Sequence, residues 1–167
     1  QQTQSQSVTV DITQVDEVPT FTSGTSDSVA EDASNGASVH DVEANVGGVS
    51  DKSVSYAIIG GNGDGAYAID GATGAITVAD TTQLDHEVSS SRTLTVEASE
   101  GTATNTQSVA ISVTDVDETP AFTSGSSATV TESAAGGIVV HDLNATVGGD
   151  DYEAVSYTIT GGNDDVA

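Results

Sequence analysis

Cysteine, methionine and tryptophan are absent from this 167-residue chain, and proline occurs only twice. Without cysteine no disulfide can hold the fold, and no thiolate is available as a nucleophile or a soft metal ligand. Basic side chains are nearly missing as well: Lys52 and Arg92 stand against 26 acids, for a formal charge of −24. Two cations cannot form a basic patch, which removes nucleic acid and anionic membrane surfaces as partners. Aromatic residues make up 4% of the chain, so carbohydrate stacking lacks a platform. No apolar run approaches the roughly 18–20 residues of a membrane span, and no membrane insertion is expected in this segment. Residues 1–10 lack the basic start and apolar centre of a signal peptide, and there is no initiating Met. The chain therefore reads as a segment of a longer protein.

What the chain does have is a repeat. VDEVPTFTSG at 15–24 returns as VDETPAFTSG at 116–125, a period of 101 residues. Laying 1–66 over 102–167 needs no gap, and about half of the paired positions are identical. This divides the chain into three parts. Residues 1–17 are the last strand and linker of a preceding unit, 18–118 a whole unit, and 119–167 the first half of the next. The joints fall at Gln14-Val15-Asp16-Glu17-Val18-Pro19 and Asp115-Val116-Asp117-Glu118-Thr119-Pro120. Proline restrains the residue before it to extended forms, so these linkers are short and extended, unlike a Gly/Ser tether.

Within the unit, short runs alternate with a period of two. Leu94, Val96 and Ala98 share one face of 92–98, Val109, Ile111 and Val113 one face of 108–114, and Val54, Tyr56 and Ile58 one face of 53–59. Successive strand side chains point to opposite faces, so these are half-buried strands of an antiparallel sheet. Further strands are expected at 27–31, 37–42, 66–70 and 74–78, separated by glycine-rich turns such as Gly60-Gly61-Asn62-Gly63-Asp64-Gly65. Seven short strands in about 100 residues predict an all-β sandwich.

Acidic residues gather where one unit ends and the next begins. A solvated acidic surface suited to brine is the reading that charge alone favours. The other is a bound divalent cation, which offsets the repulsion of crowded carboxylates. Calcium takes 6–8 oxygen ligands, and this chain offers oxygen with no thiolate and little imidazole. His40, His86 and His141 are read as structural or exposed. No cysteine and no Gly-x-Ser-x-Gly turn are present for nucleophilic catalysis, and the Asp85/Glu87 pair has no aromatic-lined cleft around it. Enzyme activity is not expected.

Pattern shifts the weighing toward the cation. Leu84-Asp85-His86-Glu87 is similar to the Leu-Asp-x-Glu signature of cadherin repeats, and Asp115 to Pro120 followed by Phe122 resembles their Asp-x-Asn-Asp-Asn-x-Pro-x-Phe linker. Ala98-Ser99-Glu100 resembles Ala-x-Asp, Asp41-Val42-Glu43 resembles Asp-x-Asp, and Glu31 matches the glutamate of the first strand. The stretch 56–78 resembles the family's Tyr-x-Ile…Gly-Asn…Phe-x-Ile-Asp…Thr-Gly-x-Ile segment. The chain is identified on these motifs as a bacterial-type cadherin-like repeat. The resemblance implies a seven-strand Greek-key sandwich with up to three Ca2+ at each junction.

Carried over by position, one junction would use Glu31, Asp85 and Glu87, then Asp115, Asp117 and Glu118 of the linker, then Asp142 and Asn144 above. The preceding junction would use Asp16 and Glu17, then Asp41, Glu43 and Glu100. Asp117, Glu118 and Thr119 depart from the family's Asn, Asp and Asn, and Gln14 replaces the first linker aspartate. The first junction should therefore bind less tightly. The function implied is a calcium-stiffened extracellular rod, secreted or at the cell surface, acting in adhesion. Its partners would be neighbouring repeats of the same protein, with homophilic or filament self-assembly beyond them. A filament subunit built by strand exchange and a carbohydrate-binding module are the alternatives.

Overall fold

A computed structural model of the chain describes residues 1–13, 15–47, 53–146 and 154–162. The strands are β1 (Thr20–Phe21), β2 (Ser26–Ala30), β3 (Ser38–Asp41), β4 (Ala44–Asn45), β5 (Ser55–Gly60), β6 (Tyr67–Ile69), β7 (Ala75–Val78), β8 (Ser91–Glu100), β9 (Ala103–Thr114), β10 (Ala121–Phe122) and β11 (Ala145–Thr146). One 3₁₀ turn, Thr81–Gln83, is capped by the Asp80 side chain. A four-stranded sheet has the order β2-β9-β8-β5 and a three-stranded sheet the order β3-β7-β6. These seven strands are the ones that periodicity predicts, and they form an all-β sandwich. Two short antiparallel pairs, β1 with β4 and β10 with β11, flank them. At two residues each they are too brief for alternation to reveal.

The sheets close on one apolar layer. Leu94, Val96 and Ala98 of β8 and Val109, Ile111 and Val113 of β9 point inward, against Val39, Ile76, Val78 and Tyr67 of the facing sheet. Fully burying one such aliphatic side chain contributes about 1.5–3 kcal/mol. One feature departs from the antiparallel expectation: β2 runs parallel to β9, with Ser26 opposite Ala110 and Ala30 opposite Thr114. A chain that enters at one end of the sandwich and leaves at the other sends its first and last long strands the same way.

The repeated segments near the two ends of the chain behave differently from their counterparts in the middle. Val8, Val10 and Ile12, the equivalents of buried Val109, Ile111 and Val113, lie in an exposed segment without a strand. Val130, Val140 and Leu143 are 57%, 50% and 45% exposed, whereas their equivalents Val29, Val39 and Val42 are 7%, 5% and 0% exposed. The side chains are the same or nearly so. What differs is that residues 119–167 have no counterpart of 67–101 to cover them. For the same reason Tyr157, the equivalent of Tyr56, is half-exposed and tilts against Phe122.

The glycine-rich loop after β5 is a structural clamp. The Asn62 amide donates to the Tyr67 carbonyl (2.7 Å) and its oxygen accepts the Tyr67 N–H (3.0 Å), imitating a strand along the open edge of β6. Arg92 pairs with Asp64 of this loop and donates to the Gln83 carbonyl at 2.9 Å. Gly61 has φ +79°, and a Cβ there would overlap the Thr93 carbonyl, whereas Gly63 faces open space. Gly61→Ala should therefore destabilise by more than about 1 kcal/mol in urea unfolding. Gly63→Ala should stay within about 0.5 kcal/mol. Equal effects would show that the loop is not packed in this way.

Candidate metal centre

Strand β2 ends at Ala30, and the next residue, Glu31, is buried. Its carboxylate reaches two separate parts of the chain. One oxygen accepts the His86 N–H at 2.8 Å and the other accepts the Val116 N–H at 2.7 Å. Glu31 thus ties the 84–88 loop and the linker to the first long strand. Each oxygen keeps a lone pair for a further partner. Glu87 and Glu118 bring one carboxylate oxygen each to within 4.8 Å of Glu31 and of one another. Among the described residues this is the only group of three or more potential metal-ligating side chains. One buried and two exposed carboxylates, with no thiol or imidazole, match a hard cation with oxygen ligands.

The other predicted residues take different positions. Asp85 turns back on its own loop and accepts the Val88 N–H at 2.8 Å. Asp115 and Asp117 are exposed and lie outside the three-carboxylate group. At the opposite end of the unit, Glu100 is fully buried and accepts the Glu17 N–H at 2.8 Å. Asp16 accepts from the Thr102 N–H (2.8 Å) and hydroxyl (3.0 Å). Glu17 also buries Oε2 without a hydrogen-bond partner. Asp41 and Glu43 are exposed, and neither joins Asp16, Glu17 and Glu100 in a compact group. Asp142 is exposed in the partial unit, and Asn144 offers its carbonyl to Thr123 and Ser124. Gln14 lies outside the described residues. Sequence reasoning missed Thr102 and the main-chain N–H groups of His86, Val116 and Glu17, because no motif marks an amide as a partner.

The histidines complete the two ends. His86 Nδ1 donates to the Val113 carbonyl at 2.7 Å. That bond holds the imidazole above its ordinary value against partial burial, with Asp115, Glu87 and Glu31 adding to the rise. His40 is buried between the Asp27 carboxylate (3.2 Å) and the Gly24 carbonyl (3.1 Å), and His141 repeats the carbonyl contact with Gly125 at 2.6 Å. The Ser28 N–H, and then His40, hold the Asp27 carboxyl below the usual aspartate value.

This architecture has known counterparts. The cadherin domain profile matches residues 25–120. The chain belongs to the cadherin domain family. Mouse protocadherin Fat 4 is 38% identical over 119 residues, 68% of this chain and 2% of that protein. Human protocadherin Fat 1 is 35% identical over 136 residues, 76% of this chain and 3% of that protein. Among solved structures, the human desmocollin-1 ectodomain shares 28% identity with a TM-score of 0.54, over 64% of this chain and 22% of that one. These relatives are mammalian, so the bacterial type expected from the motifs finds no support in them. Cadherin domains are adhesion modules, not enzymes, and as a family they bind calcium. Among the described residues no helix is long and apolar enough to cross a membrane.

A depressed folded value means that Asp27 adds stability above its unfolded value of about 3.9, and that this is lost as pH falls through the lower folded value. Asp27→Asn should lower the urea midpoint at pH 7, and the gap to the parent should close by about pH 2. A gap of equal size at both pH values would remove the ionised Asp27 carboxylate as its cause.

Proposed function

We propose that this chain is a calcium-binding extender segment of an extracellular adhesion protein, in which Ca2+ at the inter-unit junctions turns a jointed string of sandwiches into a rod. The observation that carries this reading is the convergence of Glu31, Glu87 and Glu118 from three parts of the chain: the first long strand, the 84–88 loop and the linker. Three carboxylates so close repel one another, and a divalent cation turns that repulsion into a clamp. The buried, unpaired Glu17 Oε2 at the preceding linker supports the same chemistry there. Asp85 would complete the coordination from below, Asp115 and Asp117 from the linker, and Asp142 and Asn144 from above. Asp16, Asp41, Glu43 and Glu100 would serve the preceding junction with Glu17. Because the linker is partly exposed, affinity should lie between about micromolar and millimolar.

An extracellular location fits the desmocollin-1 ectodomain among the structural neighbours. The chain spans only 2–3% of the curated relatives it matches, so adhesion is proposed of the longer protein rather than of these residues alone. In the assembled array each unit binds its neighbours end to end through the linkers. The deciding experiment is small-angle scattering of the chain with calcium and then with chelator. Calcium should raise the maximum dimension and reduce flexibility, and an unchanged profile would remove the rod mechanism. Calorimetry should show that Asp117→Ala weakens uptake at the second junction only. Equal loss at both would overturn the junction assignment.

A further inference from the structure

The two linkers share the sequence Val-Asp-Glu, at 15–17 and at 116–118, and the whole unit grips each of them from a different side. From below, Glu31 accepts the Val116 N–H at 2.7 Å. From above, Asp16 accepts the Thr102 N–H at 2.8 Å, and Glu100 accepts the Glu17 N–H at 2.8 Å. The 101-residue period makes Val15 equivalent to Val116, Asp16 to Asp117 and Glu17 to Glu118. The two sets of bonds therefore describe the two halves of one joint. We propose that in a linker between two whole units the valine is fastened to the unit below and the next two residues to the unit above, by carboxylate–amide hydrogen bonds that need no metal. The freedom left to the joint is then confined to the φ and ψ of the valine and the aspartate, on either side of one planar peptide.

This inference builds on the junction reading, because the fastened residues are the ones proposed to hold calcium. It assigns them a second role that precedes the ion. Hydrogen bonds from amides to carboxylates are stronger than neutral ones, and each here closes a contact between residues 83–86 positions apart in sequence. Glu118 shows how one residue serves both sides. Its carboxylate lies with Glu31 and Glu87 of the unit below, while the equivalent Glu17 gives its N–H to the unit above. Rotation about those φ and ψ angles still lets two sandwiches swing through wide angles. Calcium acts on that swing alone, on a linker already seated, so little ordering entropy opposes its binding. Glu31 is here a positioning residue for the His86 loop and the linker.

Amide hydrogen exchange on the chain in chelator tests this directly. The Val116, His86, Glu17 and Thr102 amides should exchange at least tenfold more slowly than those of the exposed Asp11 and Thr13. Glu31→Ala should abolish protection at His86 and Val116 while Leu94 and Ile111 stay protected. Asp16→Ala should abolish it at Thr102 alone, and it also serves if Glu31→Ala does not fold. Unprotected Val116 and Thr102 amides in the calcium-free parent overturn the proposal, as does protection that survives both substitutions. Calcium titration of the same samples tests the other reading separately. Protected amides without calcium uptake would leave the fastened joint standing and remove the calcium rod, and uptake without prior protection would do the reverse.

Discussion

The long hairpin of β8 and β9 sets the terms for everything else in the unit. Ten consecutive register pairs, from Ser91 opposite Ser112 to Glu100 opposite Ala103, hold its two strands together. At about 3.4 Å per residue that ladder runs on the order of 30 Å. Its inward side supplies six of the fourteen buried apolar side chains among the described residues. Its turn carries Glu100 and Thr102 to one pole, and its far end delivers Val113 and the linker to the other. Without that span the two groups of acids would not sit at opposite ends, and one unit could not address two neighbours.

Charge is arranged around this axis. Along the outward side of the hairpin Glu97 is the only acid, set among Thr93, Thr95, Thr106 and Ser108. Glu17, Glu31, Glu87, Glu100 and Glu118 lie at the poles. A surplus of 24 negative charges would oppose compaction if it were spread through the fold. Those five glutamates, partly met at the poles by main-chain N–H groups, leave the apolar layer undisturbed. The same crowding is the repulsion that the proposed cation would offset.

The seven long strands were legible in the sequence because each half-buried strand alternates, and alternation is local. Leu94, Val96 and Ala98 announce their burial without reference to anything distant. The parallel pairing of β2 with β9 was not legible, since two strands 84 residues apart carry no sign of their mutual direction. The site was readable in part. Glu31, Glu87 and Glu118 come together as their motifs imply, because a family pattern encodes contacts that composition does not. Thr102 and the amides of Glu17, His86 and Val116 stayed hidden, because every residue but proline has an N–H and only geometry distinguishes one. Tyr157 shows the opposite limit: its pattern is that of a core residue, but burial depends on strands supplied by other parts of the chain.

The parallel register of β2 and β9 has a mechanical consequence. These strands stand next to the incoming and outgoing linkers, so a pull on those two linkers draws β2 backward past β9. Five register pairs, from Ser26–Ala110 to Ala30–Thr114, lie across that line of force. Two antiparallel strands pulled from the same end would peel apart one bond at a time. Parallel strands pulled from opposite ends load all their bonds together and must slide as a block. Tension along the chain thus meets each sandwich in shear, the direction in which a short ladder of hydrogen bonds resists best.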